Sequence, residues 1–188
     1  MHKIFFATTN EGKLKEAREL LGIEIEGAGL DIDEIQSLDP REVVSKKGKA
    51  YFDKLSKPIL VEDVSLTFLA LDKLPGTYIN DFSKSLKNEG LIKLLEGYTN
   101  REATAQTSLA FYDESGNEHI FEGIVQGTIA TECRGTNGFG WDPIFIPNGE
   151  TLTFAQMKDE GKNKYSMRAR AFEKFREWLK EQPQLIQQ

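Results

Sequence analysis

Residues 3–22 read KIFFATTNEGKLKEARELLG, and this stretch decides the fold. Lys3 to Thr8 is a short apolar, aromatic-rich run, the pattern of a buried strand. Leu14, Ala17, Leu20 and Leu21 then recur at helical spacing, and Gly22 is a helix stop. A buried strand must be covered on both faces, so a strand leading directly into an amphipathic helix is the opening of an α/β unit.

The neighbouring segments extend the pattern. Ile23 to Gly29 reads as a second, more polar strand. Asp39-Pro40 opens another helix, with Asp39 as N-cap, Pro40 in the first turn and Glu42 at the capping-box position, running through Val43, Val44 and Ala50 to about Leu55. Pro58 to Asp63 is a buried strand ending in two carboxylates, Glu62 and Asp63. A turn at Leu74-Pro75-Gly76 precedes a polar helix and then a second helical run with Leu91, Leu94 and Leu95 on one face. Ala103–Tyr112 and His119–Val125 alternate around the turn Asp113–Asn117, a hairpin signature, and Gly127 to Glu132 adds a third strand. A glycine-rich loop, Arg134 to Gly140, leads into Trp141 to Ile146. Ala171, Phe172, Phe175, Trp178 and Leu179 line one stripe of the last helix, and Gln182 to Gln188 reads as a flexible tail. The expected fold is a single α/β domain over residues 1–188: a long twisted mixed sheet with flanking helices, split into two lobes around a cleft.

Composition removes several function classes. The chain has 188 residues, 24 Lys plus Arg against 30 Asp plus Glu, and a net charge of −6. An acidic protein without a basic stripe is a poor nucleic-acid binder, and any phosphate must meet a local cationic cluster. No run approaches the ~18 apolar residues of a membrane span, and no signal peptide is evident. One cysteine, Cys133, excludes an intrachain disulfide and suits a reducing cytoplasm. His2 and His119 are too few for a histidine-rich metal site.

Four segments carry chemistry. Thr8-Thr9-Asn10-Glu11-Gly12-Lys13 lies between the first strand and first helix, where outward N–H groups, a close backbone at Gly12 and the Lys13 charge suit an anion; on spacing alone a plain turn with a solvated lysine is the simpler reading. It is not a P-loop, because position 7 is Ala and position 14 is Leu. Glu62-Asp63 ends a buried strand, where alternation puts Asp63 on the face of Ile59 and Val61 and Glu62 on the other. With Asp31, Asp33 or Glu34 it would make a Mg²⁺ arrangement; the same acids could cap helices. Phe139-Gly140-Trp141-Asp142-Pro143 offers flat rings for a nucleobase, or plugs the core, and Asp142 wants a hydrogen-bond donor. Lys162, Asn163, Ser166 and Arg168 stand at the start of the last helix, with Arg168 on its apolar stripe, so its charge needs a structural carboxylate or a ligand.

Taken in order, these motifs, with Glu34 and the segment Leu74-Pro75-Gly76-Thr77-Tyr78-Ile79, resemble the inosine triphosphate pyrophosphatase family across nearly the whole chain, in a variant close to its eukaryotic branch. The resemblance implies an elongated two-lobed α/β fold with a central active-site cleft, usually a homodimer. It implies hydrolysis of non-standard purine nucleoside triphosphates such as ITP, dITP and XTP to the monophosphate and pyrophosphate, dependent on Mg²⁺ with Mn²⁺ as substitute. By position, Thr8, Thr9, Asn10, Glu11, Gly12 and Lys13 cradle the triphosphate, and Lys46 reaches it. Glu34 and Asp63 hold the metal, Asp63 also accepts the proton, and Val64 adjoins the substrate. Phe139, Gly140, Trp141 and Asp142 meet base and sugar, and Lys162, Met167 and Arg168 stand at the base edge.

Three departures from the family pattern stand out. Met167 replaces a histidine before Arg168, Val64-Ser65 follows the acidic pair where a small residue and glycine are usual, and Asn80 replaces a lysine near the Pro-Gly turn. They imply retained hydrolysis with altered base selectivity, up to a modified or pyrimidine nucleotide. A nucleotide-binding module without turnover is the contrasting expectation.

Overall fold

A computed structural model describes residues 4–182. Met1 to Lys3, and the expected tail beyond Gln182, lie outside the described residues. β1 (Ile4–Phe6), α1 (Glu11–Leu21), β2 (Ile25–Gly27), α2 (Pro40–Leu55) and β3 (Ile59–Phe68) open the chain. β1 lies between β2 and β3, parallel to both, with Ile4 opposite Ile25 and Phe6 opposite Leu60; α1 and α2 are the crossovers that parallel pairing requires. β4 (Pro75–Gly76) runs antiparallel to β3. α3 (Ile79–Lys93) is kinked at Lys87. β5 (Glu102–Tyr112) and β6 (Glu118–Ile129) are joined by a turn whose Asp113 carboxylate accepts the Ser115 and Asn117 N–H groups at 2.8 and 2.9 Å. β7 (Phe145–Pro147) pairs antiparallel with β6, and α4 (Asp159–Tyr165) and α5 (Met167–Lys180) end the fold. The seven strands form one mixed sheet along the path β2-β1-β3-β5-β6-β7, with β4 against β3. This is the helix-flanked mixed sheet that the strand and helix patterns predict.

The chain divides into two compact units. Of the described residues, the first holds 4–63, 107–123 and 169–182. On one face Phe6, Leu60, Leu109 and Phe111 pack against Leu14 and Leu21 of α1 and Phe172 and Phe175 of α5. On the other, Ala7, Ile59, Val61 and Tyr112 pack against Val44 and Tyr51 of α2. Gly48 makes that second contact close: a Cβ there would lie 2.5 Å from the Tyr112 ring. The second unit, residues 64–106 and 124–168, is built on Leu66, Phe68, Ile79, Leu91, Phe145 and Phe154.

Several sequence expectations need correction. β3 does not end at its carboxylates; Val64, Leu66 and Phe68 continue the buried alternation to Phe68. The expected third strand from Gly127 is the far end of β6. Pro75-Gly76 is a short strand as well as a turn. Glu42 closes no capping box: Asp39 N–H donates to Ser37 Oγ at 3.1 Å, and that hydroxyl donates to Glu42 at 2.7 Å. Lys162 and Asn163 lie on α4, one helix earlier than expected.

Candidate active site

β1 stops at Phe6 while β3 runs on, and the Ala7 N–H still donates to the Leu60 carbonyl at 2.8 Å. Glu62 and Asp63 therefore stand just beyond the carboxyl end of β1, where a parallel sheet leaves room for a ligand. Strand alternation sends their side chains apart. Glu62 faces α1, where Lys13 Nζ lies 3.2 Å from its Oε2, and the Glu62 side chain is only 2% exposed. Asp63 is buried, and its Oδ2 has no hydrogen-bond partner. Burial pushes the Asp63 carboxyl up to about 6 from an ordinary 3.8. Lys47 pulls it down, Glu34 and Glu62 push it further up, and Lys13 pulls down least. Glu34 and Lys13 thus both act on the Asp63 carboxyl group.

A cavity of about 240 Å³ opens in this unit, walled by Thr8, Thr9, Lys13, Lys47, Tyr51 and Glu62 among others. The loop into α1 shapes its floor. Asn10 caps the helix, its side chain accepting the Lys13 N–H at 3.2 Å, and Thr8 Oγ1 accepts the Asn10 N–H at 3.1 Å. Those two bonds take up the backbone N–H groups of Asn10 and Lys13, so the anion-binding capacity rests on the other N–H groups of the helix start and on the lysines. Glu11 and Gly12 sit exposed in the first turn. Lys46 does not fill the place expected of it: it is exposed and does not wall the cavity. Its neighbour Lys47 walls the cavity and pairs with Glu34 at 2.7 Å. The signal was available, because Val44, Gly48 and Tyr51 mark the inward stripe of α2, and position 47 borders it whereas 46 points away. Glu62, singled out with Asp63 as a carboxylate of this strand but assigned no role of its own, is the other residue whose place at the cavity the sequence reading did not name.

Among the described residues no three His, Cys, Asp or Glu side chains converge into a preformed metal cage. What exists is an orphaned, buried carboxylate oxygen of Asp63 with Glu34 close enough to perturb it. All-oxygen donors supplying only part of a shell fit a hard divalent cation that completes its coordination with water and phosphate.

A second constellation lies in the other unit. Lys162 Nζ is 2.9 Å from Asp142 Oδ2, and the same oxygen accepts the Phe139 N–H at 2.9 Å. Gly138 makes this possible: at φ +72° a Cβ would sit 2.0 Å from that oxygen. Phe139 itself is 41% exposed, with Lys162 Nζ 4.9 Å and Arg168 Cζ 5.2 Å from its ring centroid. Asn88 Nδ2 holds the Gly140 carbonyl at 3.0 Å. Asp142 therefore finds its donors within the protein, and Phe139 stays partly exposed beside two cations. Trp141 is buried edge-on against Phe145, and Met167 and Val64 are buried in the apolar core. Those three are packing residues here, not contact surface.

The sequence model of the Ham1 family matches residues 4–178. A dITP/XTP pyrophosphatase of Methanopyrus kandleri is 42% identical over 181 residues, covering 95% of this chain and 96% of that one. An inosine triphosphate pyrophosphatase of Candida glabrata is 41% identical over 187 residues, covering 94% and 97%. The solved structure of a HAM1 protein from Coxiella burnetii superposes with a TM-score of 0.85 at 30% identity, over 96% of this chain and all of that one. Among the described residues no helix is long and apolar enough to cross a membrane.

Proposed function

The chain belongs to the Ham1 family, and on that premise we propose that it hydrolyses purine nucleoside triphosphates with non-standard bases (ITP, dITP and XTP) to the monophosphate and pyrophosphate. One observation carries the reading: a cavity walled by two lysines and a helix start, beside a buried carboxylate whose Oδ2 is unsatisfied. Lys13, Lys47 and the first turn of α1 bind and orient the phosphates, the larger part of phosphoryl-transfer catalysis. Asp63, which burial pushes up to about 6 in the metal-free fold, is ionised at neutral pH and is the carboxylate suited to take a proton from the attacking water. Asp63 and Glu34 would hold Mg²⁺, which when bound neutralises polyphosphate charge and acidifies water.

Base selection falls to the second constellation. Phe139 offers a stacking face, and Lys162 and Arg168 are donors suited to a 6-oxo group, whereas the 6-amino group of adenine is itself a donor. The expected result is pyrophosphate release from ITP that requires Mg²⁺ and falls at least ~10²-fold in Asp63→Asn. Unchanged release would move the chemistry away from β3.

A second reading, a relative with shifted base selectivity, draws on Met167, which lies in the apolar core and brings no donor next to Arg168. Turnover of ITP, XTP, dUTP, GTP and ATP by the native chain and by Met167→His separates the two, and equal base ratios remove position 167 from selectivity. Two further points rest on the family likeness and composition: a homodimer, read by light scattering, and a cytoplasmic site of action, in keeping with one unpaired cysteine.

A further inference from the structure

The two acids assigned to the divalent cation are in opposite states. Asp63 Oδ2 is buried and has no partner. Glu34 is already engaged, its Oε1 lying 2.7 Å from Lys47 Nζ. The Lys47 side chain is 15% exposed and the Glu34 side chain 50%, so the ammonium is the more buried member and the carboxylate reaches in from the loop before α2. A divalent cation arriving alone at Glu34 meets a positive charge already seated on its ligand, and Asp63 feels both of those groups.

Lys47 also walls the cavity with Thr8, Thr9 and Lys13. A phosphate group there is an alternative anionic partner for the ammonium. Transfer of Lys47 from carboxylate to phosphate frees the Glu34 oxygens as cation ligands.

We propose that Lys47 is a gate on Glu34: its ammonium occupies the carboxylate in the empty protein and moves to polyphosphate when that arrives, so that cation and polyphosphate bind together. This role rests on the reading of the cavity as a polyphosphate site. Thermodynamic reciprocity gives it a measurable form, because whatever the polyphosphate does for the cation the cation does for the polyphosphate.

The test uses the full chain and Mn²⁺ as probe, with free ion followed by electron paramagnetic resonance. Without nucleotide, Lys47→Met is expected to bind Mn²⁺ about tenfold more tightly than the native chain, within the usual range of coupling between sites. Lys46→Met loses the same charge from an exposed neighbouring position and stays within about twofold. Glu34→Gln combined with Lys47→Met loses the gain. Adding the α,β-methylene analogue of ITP, with its own Mn²⁺ binding measured separately, tightens Mn²⁺ binding to the native chain more than to Lys47→Met. Lys47→Gln serves as a second variant, and thermal unfolding verifies that each is folded. An equal gain in Lys46→Met, a gain that survives Glu34→Gln, or no gain in folded Lys47→Met and Lys47→Gln overturns the gate. Pyrophosphate release from ITP by the native chain is read separately: its absence defeats the hydrolase reading, whereas the Mn²⁺ comparison without nucleotide decides the gate.

Discussion

Lys162 and Asp142 face each other at 2.9 Å with less than a tenth of either side chain exposed. Breaking such a pair leaves one charge buried and uncompensated, at a cost of roughly 3–5 kcal/mol. Asp142→Ala also strips the acceptor from the Phe139 N–H, so it is expected to be the costlier single change. Lys162→Met leaves Asp142 that one donor. Combining Lys162→Met with Asp142→Ala removes both charges and should cost at least ~1 kcal/mol less than the sum of the singles, as expected for residues in direct contact. Urea unfolding of the four proteins measures this; additive losses would show the pair to be energetically idle.

Asp63 sets stability against function. Its carboxyl holds a proton more tightly in the fold, near 6, than in the unfolded chain, near 3.8. Below pH 4 both states are protonated and nothing is lost. Between about pH 4 and 6 the unfolded chain gives up its proton first and stability falls. Above pH 6 the whole penalty, about 3 kcal/mol, remains. Asp63→Asn is therefore expected to raise the melting temperature of the metal-free protein at pH 7.5, with the difference shrinking toward pH 4, while hydrolysis collapses. A native chain that is equally or more stable than the variant at pH 7.5 would mean that the Asp63 charge is compensated.

Gly48 ties packing to the site. It lets α2 close onto the sheet, and an added Cβ would meet the Tyr112 ring at 2.5 Å and Val61 at 3.2 Å. Gly48→Ala must push the helix outward, with an overpacking cost of about 1–3 kcal/mol. Lys47 is the adjacent residue, so the same shift should raise KM for ITP. Raised KM with unchanged unfolding, or the reverse, would separate α2 packing from the placement of Lys47.

Legibility in the sequence differs from element to element. The stripe of Leu14, Ala17 and Leu21, the Asn10 loop and the cap at Asp39 are local devices, and local devices are written in local sequence. The helix-flanked mixed architecture can be built from them. The end of β3 is harder to place, because two adjacent carboxylates look like a strand terminus although Leu66 and Phe68 carry the buried face onward. Lys46 and Lys47 differ only in the side of the helix on which they fall, and that is fixed by Val44, Gly48 and Tyr51 meeting the sheet. The partners of Asp142 and Glu34 are illegible for a related reason: their lysines are 20 and 13 residues away, and only the folded chain brings them together.

Phe139 is the residue whose role is least structural. It is 41% exposed, contributes little to the core, and turns its ring toward Lys162 and Arg168. Removing the ring should leave unfolding within about 0.5 kcal/mol of native, as for exposed substitutions generally. Base stacking on an aromatic is worth roughly 1–3 kcal/mol, so Phe139→Ala should raise KM for ITP by about tenfold or more. Inorganic tripolyphosphate carries the charge without a base, and its inhibition constant should not change. Phe139→Trp keeps a ring and should restore most of the lost affinity. If tripolyphosphate inhibition weakens in parallel with ITP binding, Phe139 acts by holding the Lys162 and Asp142 loop in place. If neither moves, the base is read elsewhere in the protein.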